Sequence, residues 1–537
     1  MTALVTRHLP LVADAPDGIK KLRALILELA VRGKLVPQDA MDGFANSHLE
    51  EAEYSGKQIH FDGPFCLPKT WKWVRLGDTL DMVNGRAFKP TEWISSGLPI
   101  VRIQNLNRPD AEFNFCDEVT VASRHVIDTG TLLISWSGTP GTSFGAFIWN
   151  RGRAALNQHI FSCIQKRASF FDRFLQVAIN TRLEELIAKA HGGVGLQHVT
   201  KGKLEALTLA LPPLKEQHRI VAKVDELMAL CDRLEADQAD AEAAHVQLVQ
   251  ALLDSLTQAT DAADFRASWQ RLSEHFHTLF TTEASIDALK QTVLQLAVGG
   301  ALVDCDVAGM PASALLDQIG LTEGHAIRPA EPLWHTPESW RWAQLGSVLS
   351  GGLQNGISPK PVPFETSVRC LTLGATTRGR FNGTCFKHVE LDACVVPKYL
   401  LKSGDLLVQR ANSIDYVGVS AVYDAADDQY IYPDLMMRMR VSSLMSLRFV
   451  HLCLSSLGCR AYMRSKATGT QGNMPKINQG TVGGVPIPVP QLEVQHRIVA
   501  KVDELMALCD QLKVHLADAR QQHAQLATVL VEQAVAA

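Results

Sequence analysis

Residues 217–232 read QHRIVAKVDELMALCD, and the same sixteen letters return at residues 495–510, a shift of 278. A looser pair accompanies them: IKKLRALILELAVRGKLV at 19–36 and IDALKQTVLQLAVGGALV at 286–303 share nine of eighteen positions at a shift of 267. Self-similarity at a nearly constant period indicates that one structural unit occurs twice in the chain.

A third pair sets PKTWKWVRLG at 68–77 against PESWRWAQLG at 337–346. The order of these elements is circular, because the chain opens on the LAVRGKLV segment and ends inside the second QHRIVAKV element. A cycle cut open in this way predicts pseudo-twofold symmetry, with the C-terminal element close to the N-terminal one. The length of 537 residues fits about three or four structural units.

The repeated segments lead into long stretches of helical composition. Residues 214–298 and 491–537 contain neither Gly nor Pro and are rich in Ala, Leu, Glu and Gln, and prolines at 212, 213, 488 and 490 precede them. Both stretches therefore predict long helices that start just after those prolines.

Apolar residues recur in both stretches at alternating steps of three and four, which predicts a coiled-coil seam with one polar slot at Gln238. Symmetry predicts that the two helices pair antiparallel with each other; the alternative is that each packs as a surface helix on its own domain. His245 and His523 occupy slots of the pattern, where a structural role is favoured over a ligand role. The predicted seam residues are Ile220, Val224, Leu227, Cys231, Leu234, Leu248, Leu252, Ile498, Val502, Leu505, Cys509, Leu512, Leu516, Leu526 and Leu530.

The segments between the repeats diverge, and short β-like runs such as GTLLISW at 130–136 and GDLLVQR at 404–410 are separated there by Gly, Asn, Ser and Pro. The fold class is therefore mixed α/β: two sheet-rich α/β domains separated by two long α-helices that form an antiparallel coiled coil, in a pseudo-twofold, circularly ordered repeat. The predicted division is 1–64 for an N-terminal helix and lead-in that pack with the C-terminal region, 65–213 for the first variable domain, 214–304 for a central long-helix region, 305–336 for a linker, 337–490 for the second variable domain and 491–537 for a C-terminal long helix.

Charge is segregated along the chain. The overall net charge is −4, but residues 65–212 hold 17 Lys and Arg against 12 Asp and Glu, and residues 337–490 hold 16 against 10. The remainder carries a net charge of −15. Because local excess governs the attraction of phosphate, the two basic segments suggest two separate contacts with nucleic acid.

Composition and motifs exclude several classes of protein. The chain is 46% hydrophobic and 20% charged, as globular proteins are, and its 11 cysteines form no CxxC pair, so neither a zinc site nor a disulfide scaffold is indicated. It has no long apolar run and no signal peptide, which predicts a cytoplasmic protein without membrane contact. The GxxxxGK[ST], GxGxxG, HExxH and GxSxG motifs are absent, and the Gly192–Gly195 turn is read as a plain loop. An enzyme acting alone is therefore disfavoured.

Together these segments resemble a known family, the specificity subunits of type I restriction-modification systems. The GxLL element at 130 and 404, the exit patterns EQHRIV and VQHRIV, the VDELMALCD segment and the LAVRGKL segment contribute to the resemblance. A doubled PxxWxWxxLG motif completes it, formed by Pro68, Trp71, Trp73, Leu76 and Gly77, and again by Pro337, Trp340, Trp342, Leu345 and Gly346.

The resemblance implies that the variable domains are target recognition domains, each reading one half of a split, asymmetric sequence in double-stranded DNA. The helices would form the coiled coil that sets their separation. The chain would dock two modification subunits, which bind S-adenosylmethionine and methylate adenine at N6, and restriction subunits that use ATP and Mg. No catalysis and no cofactor would belong to this chain.

Arg and Lys read guanine and Asn and Gln read adenine, whereas other basic side chains hold phosphates, so the readers are expected on polar loops of the variable domains. The tryptophans of the doubled motif are favoured as core residues over base-stacking platforms. The candidate DNA-binding residues are Arg86, Lys89, Arg102, Gln104, Asn105, Asn107, Ser137, Thr139, Asn157, Gln158, Gln197 and Lys201 in the first domain, and Gln354, Asn355, Lys360, Arg378, Arg380, Gln409, Arg410, Asn412, Ser413, Gln471, Asn473, Lys476 and Asn478 in the second.

Two other functions stay open from sequence alone. One is a coiled-coil scaffold whose basic domains bind proteins and not DNA. The other is a methyltransferase in its own right, which would have to bind S-adenosylmethionine.

Overall fold

The structure is a computed structural model that describes residues 10–45, 63–108, 110–138, 144–189, 197–198, 200–259, 262–305, 309–469 and 474–536. The chain divides into two compact units, the first made of Met1–Ala241 and Ala519–Ala537 and the second of Glu242–Asp518. The C-terminal residues thus belong to the unit of the N-terminal half, in keeping with the circular order of the repeats.

The bounds of the elements follow the predicted pattern of variable domains and long helices. Helices of the first half are α1 (Gly18–Val31), α2 (Leu76–Thr79), α3 (Ile103–Asn107), α4 (Asp172–Lys189), α5 (Lys201–Glu205) and α6 (Leu214–Thr257). Helices of the second half are α7 (Ala262–Glu274), α8 (Phe276–Leu279), α9 (Glu283–Gly299), α10 (Ala312–Glu323), α11 (Val396–Tyr399), α12 (Leu447–Ser455), α13 (Leu457–Ser465), α14 (Gln479–Gly483) and α15 (Leu492–Ala536).

The strands lie in the variable domains. Those of the first are β1 (Lys72–Arg75), β2 (Leu80–Asn84), β3 (Leu98–Val101), β4 (Asn114–Cys116), β5 (Val126–Ile127), β6 (Leu132–Ser135), β7 (Ser137–Gly138), β8 (Gly145–Ile148), β9 (Ala154–Leu156), β10 (Ile160–Gln165), β11 (Gln197–His198) and β12 (Thr208–Leu211). Those of the second are β13 (Arg341–Gln344), β14 (Gln354–Asn355), β15 (Val368–Leu371), β16 (Phe386–Val389), β17 (Leu406–Gln409), β18 (Ser420–Val422), β19 (Met436–Met439) and β20 (Pro486–Val489).

Each variable domain contains a four-stranded sheet of the same topology, although the sequences of the two domains differ. The strand order is β2-β10-β6-β8 in the first and β14-β19-β17-β18 in the second, with every neighbouring pair antiparallel. The runs with the GxLL element form β6 and β17, which lie inside the sheet and are buried along their whole length. Strands buried on both faces read as continuous apolar runs, which is why this element persists while the loops diverge.

In each variable domain the first strand pairs with the last strand, so the two ends of the domain lie side by side. The PxxWxW motif forms the first strand, which pairs antiparallel with the strand just before the long helix: Lys72 lies opposite Leu211, and Arg341 lies opposite Val489. Trp71 and Trp340 are 7% and 4% exposed, so the core role predicted for the motif is confirmed for these two, whereas Trp73 and Trp342 are half-buried.

In each half, the repeated helix that ends in LAVRG or LAVGG packs against the PxxWxW motif. Gly33 has a φ of +68°, and a Cβ there would lie 2.5 Å from Pro68 Cγ. Gly300 has a φ of +81°, and a Cβ there would lie 2.6 Å from Pro337 Cδ. The glycine that ends each repeated helix is therefore required both by its left-handed backbone and by the proline of the tryptophan motif.

In the first unit α1 packs against both long helices. Arg23 binds Asp232 and Glu235 of α6, each at 2.6 Å. On another side, Lys21 Nζ donates to Ala524 O at 3.3 Å and Lys34 Nζ to Val535 O at 2.7 Å, so this part of the chain and the end of α15 run in the same direction.

The helix α6 runs in the opposite direction to α1. Gln238 near the unit boundary bonds to Ala13 O, whereas Arg219 near the helix start bonds to Pro37 O. Within the first unit α6 is therefore antiparallel to α1 and to the end of α15.

The second unit repeats this packing with α9 in place of α1. Lys290 binds Asp510, at the positions that match Arg23 and Asp232, and Lys513 binds Asp287 at 2.6 Å. The equivalent histidines of the long helices also act alike: His245 Nε2 lies 3.3 Å from Thr278 O, and His523 Nε2 lies 2.6 Å from Leu11 O.

The seam prediction is wrong at one equivalent position of each helix. Leu248 and Leu526 are 53% and 56% exposed, and the buried residues are the next ones along, Val249 and Ala527. The buried position moves on by one residue in both helices, because a straight α-helix drifts relative to a strict heptad repeat. The other predicted seam residues are buried or half-buried in the cores, to which α1 or α9 also contributes residues.

The helical stretch after residue 214 starts with α6, a single helix of 44 residues, and α7, α8 and α9 follow it. One further expectation needs correction. The predicted linker 305–336 contains α10, whose Leu315 and Ile319 are buried in the core of the second unit. Among the described residues, no helix combines the length and apolarity needed to cross a bilayer.

A buried carboxyl group marks a difference between the halves. Glu216 is 1% exposed and accepts hydrogen bonds from Trp71 Nε1 at 3.0 Å and from Gln38 Nε2 at 2.6 Å, whereas the equivalent residue of the second half is Val494. Burial raises the pKa of Glu216 above its usual value, partly opposed by these two hydrogen bonds.

This carboxyl group predicts a pH-dependent stability. Because its pKa is raised in the folded chain, its contribution is present below the ordinary pKa of glutamate and is lost as pH rises through the raised value. We expect the thermal midpoint of Glu216→Gln to gain on that of the wild-type chain as the pH rises above about 4.5. A difference in midpoint that is independent of pH would contradict this.

Candidate nucleic-acid interface

In both variable domains the central strand continues into a segment that pairs with the stretch just before the last short helix. In the first domain β7 pairs antiparallel with β11, Gln197 opposite Gly138 and His198 opposite Ser137. In the second, Ala411 bridges Lys476, and Ile477 N donates to Arg410 O at 2.8 Å. Two candidate stretches that are about 60 residues apart in sequence thus meet in each domain.

A tight turn after the first strand of the sheet lies beside this pairing. Its glycine is Gly85 in one domain and Gly356 in the other, and in each a Cβ would lie 2.2 Å from the carbonyl oxygen of the crossing segment, at Asn157 or Tyr432. Only glycine permits so close an approach.

The converging segments form what we call the reading edge. It comprises residues 84–86, 136–138, 157–159, 197–198 and 200–201 in the first domain and residues 355–358, 410–413, 433–435 and 476–478 in the second.

The reading edge of the first domain combines an aromatic ring with several polar groups. Trp136 Nε1 donates to Asn84 Oδ1 at 3.3 Å, and its ring lies 5.3 Å from that of His159. Lys201 Nζ donates to Met82 O at 3.0 Å, which holds its charge beside the same strand. His159 Nδ1 is buried and has no hydrogen-bond partner within the described part of the chain.

A histidine lies against this edge, at Asn84. His125 Nδ1 lies 3.0 Å from Asn84 O. Burial, aided by the charge of Arg124, lowers the pKa of His125, so the ring is neutral near neutral pH.

The reading edge of the second domain presents an arginine at the matching place. Arg410 follows the last residue of β17 as Trp136 follows the last residue of β6, and its backbone N–H bonds to Leu435 O as that of Trp136 bonds to His159 O. Its Nη1 donates to Asp434 O at 3.3 Å. Arg410 Nε is buried without a hydrogen-bond partner among the described residues, as is Asn355 Oδ1. These are unsatisfied polar groups at the place where a polar ligand could bind.

Several predicted DNA-binding residues serve the fold instead. Asn105 is fully buried and bonds to Arg102 N, Ala111 O and Glu112 O. Gln409 is fully buried and donates to Leu373 O and Thr376 Oγ1, and its carbonyl oxygen accepts from Asn412. The prediction that Asn105 and Gln409 read bases is therefore wrong, because the side-chain oxygen and nitrogen of each are already hydrogen-bonded within the domain.

Other candidates are held by neighbouring side chains or backbone. Arg86 pairs with Glu92, Gln354 accepts from Arg438, and Asn478 caps α14 by accepting from Thr481 N at 2.8 Å. Arg102 lies 5.8 Å over the ring of Trp93, and Arg380 lies 3.6 Å from Asp510.

The remaining candidates fall into three groups. Lys89, Gln158, Lys360, Arg378, Ser413 and Lys476 are exposed, and Gln104, Asn107 and Asn157 are half-buried. Thr139, Gln471 and Asn473 lie outside the described residues. The side chains of Ser137 and Gln197 are likewise outside what the structure describes, although their backbones form β7 and β11.

Sequence reasoning missed Trp136, His159 and Asn84. A signal for Trp136 was present, because it lies six residues after Gly130 of the GxLL element, as Arg410 lies six after Gly404. A signal for Asn84 was the Asn-Gly pair that it shares with the predicted Asn355.

Comparison with known proteins assigns the family. The family profile for the type I restriction modification DNA specificity domain matches residues 68–243. The chain is 30% identical to the type I restriction enzyme EcoEI specificity subunit of Escherichia coli, over 96% of this chain and 94% of that protein. It is 29% identical to the EcoAI specificity subunit of Escherichia coli, again over 96% of this chain and 94% of that protein.

A solved structure supports the fold. A chain from the work "Structural basis underlying complex assembly and conformational transition of the type I R-M system" has a TM-score of 0.51 at 18% identity, covering 88% of this chain and 99% of that one. Because it is 30% and 29% identical to these two relatives over 96% of its length, the chain belongs to the family of type I restriction enzyme specificity subunits.

Proposed function

We propose that this chain is the DNA-recognition subunit of a type I restriction-modification complex and reads a bipartite, asymmetric target, one half with each reading edge. The observation that carries the proposal is the pair Trp136 and Arg410. The same backbone frame in two domains presents different side chains at its equivalent central position.

The chemistry of the two residues differs in the way that asymmetric reading requires. An arginine at a base edge forms two hydrogen bonds with guanine O6 and N7, and the unpartnered Nε of Arg410 lies on that side chain. Trp136, whose indole N–H is bonded to Asn84, offers an aromatic face for stacking. The two edges would therefore prefer different bases, although one duplicated frame holds both.

The family membership supports a chain that is not itself an enzyme. We propose that it docks two modification subunits that bind S-adenosylmethionine, and restriction subunits that use ATP and Mg, in the cytoplasm where DNA is accessible. The scaffold alternative is not favoured, because relatives that match nearly the whole chain are named specificity subunits.

The long helices would separate the two readers as an antiparallel coiled coil. At 1.5 Å per residue, helices of 44 and 45 residues extend roughly 66 Å. One helical turn more or less would change the reach by about 5.4 Å, so helix length would set the distance between the half-sites.

The test is the change Arg410→Ala, with Lys501→Ala on α15 as a control that also removes one positive charge. We expect methylation of the cognate sequence by the complex to fall about tenfold or more and the base preference to relax at one position, since a bidentate contact is worth about 1–3 kcal/mol. The control should keep the wild-type rate and preference. An Arg410→Ala complex with unaltered base preference would contradict the assignment of this residue.

A further inference from the structure

Each variable domain is attached to its long helix through one buried glutamine. Gln217, on the first turn of α6, is 0% exposed. Its carbonyl oxygen accepts from Phe171 N at 2.7 Å, and its Nε2 donates to Ser169 O and to Pro212 O, each at 3.0 Å. All the bonds made by this side chain go to backbone, two of them to the segment that leads into α4.

Gln495 repeats the arrangement on α15. It is also 0% exposed, its carbonyl oxygen accepts from Ser446 N at 2.9 Å, and its Nε2 donates to Pro490 O at 3.0 Å. Ser446 immediately precedes α12, as Phe171 immediately precedes α4. The same side chain therefore binds the same place in two domains whose sequences differ.

A second attachment lies two turns further along each long helix. Arg173 of α4 binds Asp225 of α6 at 2.8 Å, and Arg448 of α12 binds Asp503 of α15 at 2.6 Å. In both domains the arginine is the second residue of its helix, and both acids belong to the VDELMALCD repeat. The acid follows the glutamine by eight residues, about 12 Å along the helix.

The glutamine and the ion pair, two contacts along one long helix, together fix the angle of the variable domain as well as its position. A single buried anchor permits the domain to rotate about it, whereas a second contact about 12 Å away fixes that angle. The ion pairs are about half exposed, and exposed pairs contribute little to stability. Their recurrence on divergent domains therefore points to orientation and not to folding.

We propose that Gln217 with the pair Arg173–Asp225, and Gln495 with the pair Arg448–Asp503, are positioning residues that set the angle of each variable domain on its long helix. Through that angle they determine the spacing between half-sites that the chain accepts. This inference rests on the proposed bipartite recognition of DNA.

The experiment uses the full chain in complex with its modification subunit. Methyl transfer is measured on duplexes that carry the cognate half-sites at the natural spacing and at spacings one base pair shorter and longer. The variants are Arg448→Glu, the pair-reversing Arg448→Glu with Asp503→Arg, and Gln495→Met. Lys501→Glu is the matched control. It changes the charge by the same amount as Arg448→Glu, and Lys501 pairs only with its neighbour Glu504 on the same helix among the described residues.

For Arg448→Glu we expect the preference for the natural spacing to fall about threefold with unchanged base preference in each half-site, and the reversed pair to restore it. Gln495→Met, which leaves buried backbone groups unpaired, should lower the preference about tenfold. The control should leave it unaltered.

Wild-type spacing preference in Arg448→Glu would overturn the inference. If Gln495→Met does not fold, as judged by its thermal unfolding, Arg448→Glu and its reversal decide alone. A wild-type complex with no spacing preference at all would instead overturn the proposed bipartite function.

Discussion

Exchanging residues 72–211 for the matching segment of another specificity subunit should change one half of the recognised sequence and leave the other half unaltered. The segment begins and ends at residues that lie opposite each other, Lys72 and Leu211, in the strand pair that closes the domain. It contains the whole reading edge of the first domain, whereas Gln217 and Asp225, which attach the domain to α6, stay with the recipient chain.

The readout is the sequence around methylated adenines in cells that carry the chimaera and its modification subunit. The reciprocal control exchanges residues 341–489, which should change the other half only. A chimaera that is active but alters both halves, or neither, would show that the variable domains do not read independently.

A graded loss of stability is expected around the circumference of α15, from its buried face towards its exposed face. Val502 is 1% exposed in the core of the second unit, Leu505 is half-buried, and Leu508 is 49% exposed. Val502→Glu should cost several kcal/mol and abolish assembly with the modification subunit, because it places a charge in an apolar core. Leu505→Glu should cost less, and Leu508→Glu should stay within about 0.5 kcal/mol of the wild-type chain.

The measurements are the thermal midpoint of each variant and its co-purification with the modification subunit. The double change Leu227→Glu with Leu505→Glu affects the same half-buried position in both units and should disturb assembly before base preference. Equal stability of Val502→Glu and Leu508→Glu would show that this face of α15 is not part of a core.

The scaffold was readable from sequence because its determinants are local and occur twice. The helix starts at Leu214 and Leu492 follow proline punctuation, and the buried strands containing GTLL and GDLL are continuous apolar runs. The seam prediction failed at Leu248 and Leu526, because a straight helix drifts relative to a strict heptad repeat and the helices α1 and α9 share the core.

The reading edge was only partly readable. Loops bearing Arg410 and Lys476, far apart in sequence, were both identified, but their meeting depends on strand pairing that no local pattern encodes. Asn105 and Gln409 carry the same polar groups as base readers, and only the fold shows that backbone and neighbouring side chains already occupy them. Trp136 was overlooked because a tryptophan after a buried strand also suits a core.

The central claim is that one duplicated frame reads two different half-sites at a fixed distance. Its most direct test is to map N6-methylated adenines across the genome of cells that carry this chain with its modification subunit, and of cells without the chain. We expect a single motif of two unlike specific blocks separated by a constant number of unspecified base pairs, present only with the chain. A continuous motif, two identical blocks, or methylation that does not depend on the chain would contradict the account.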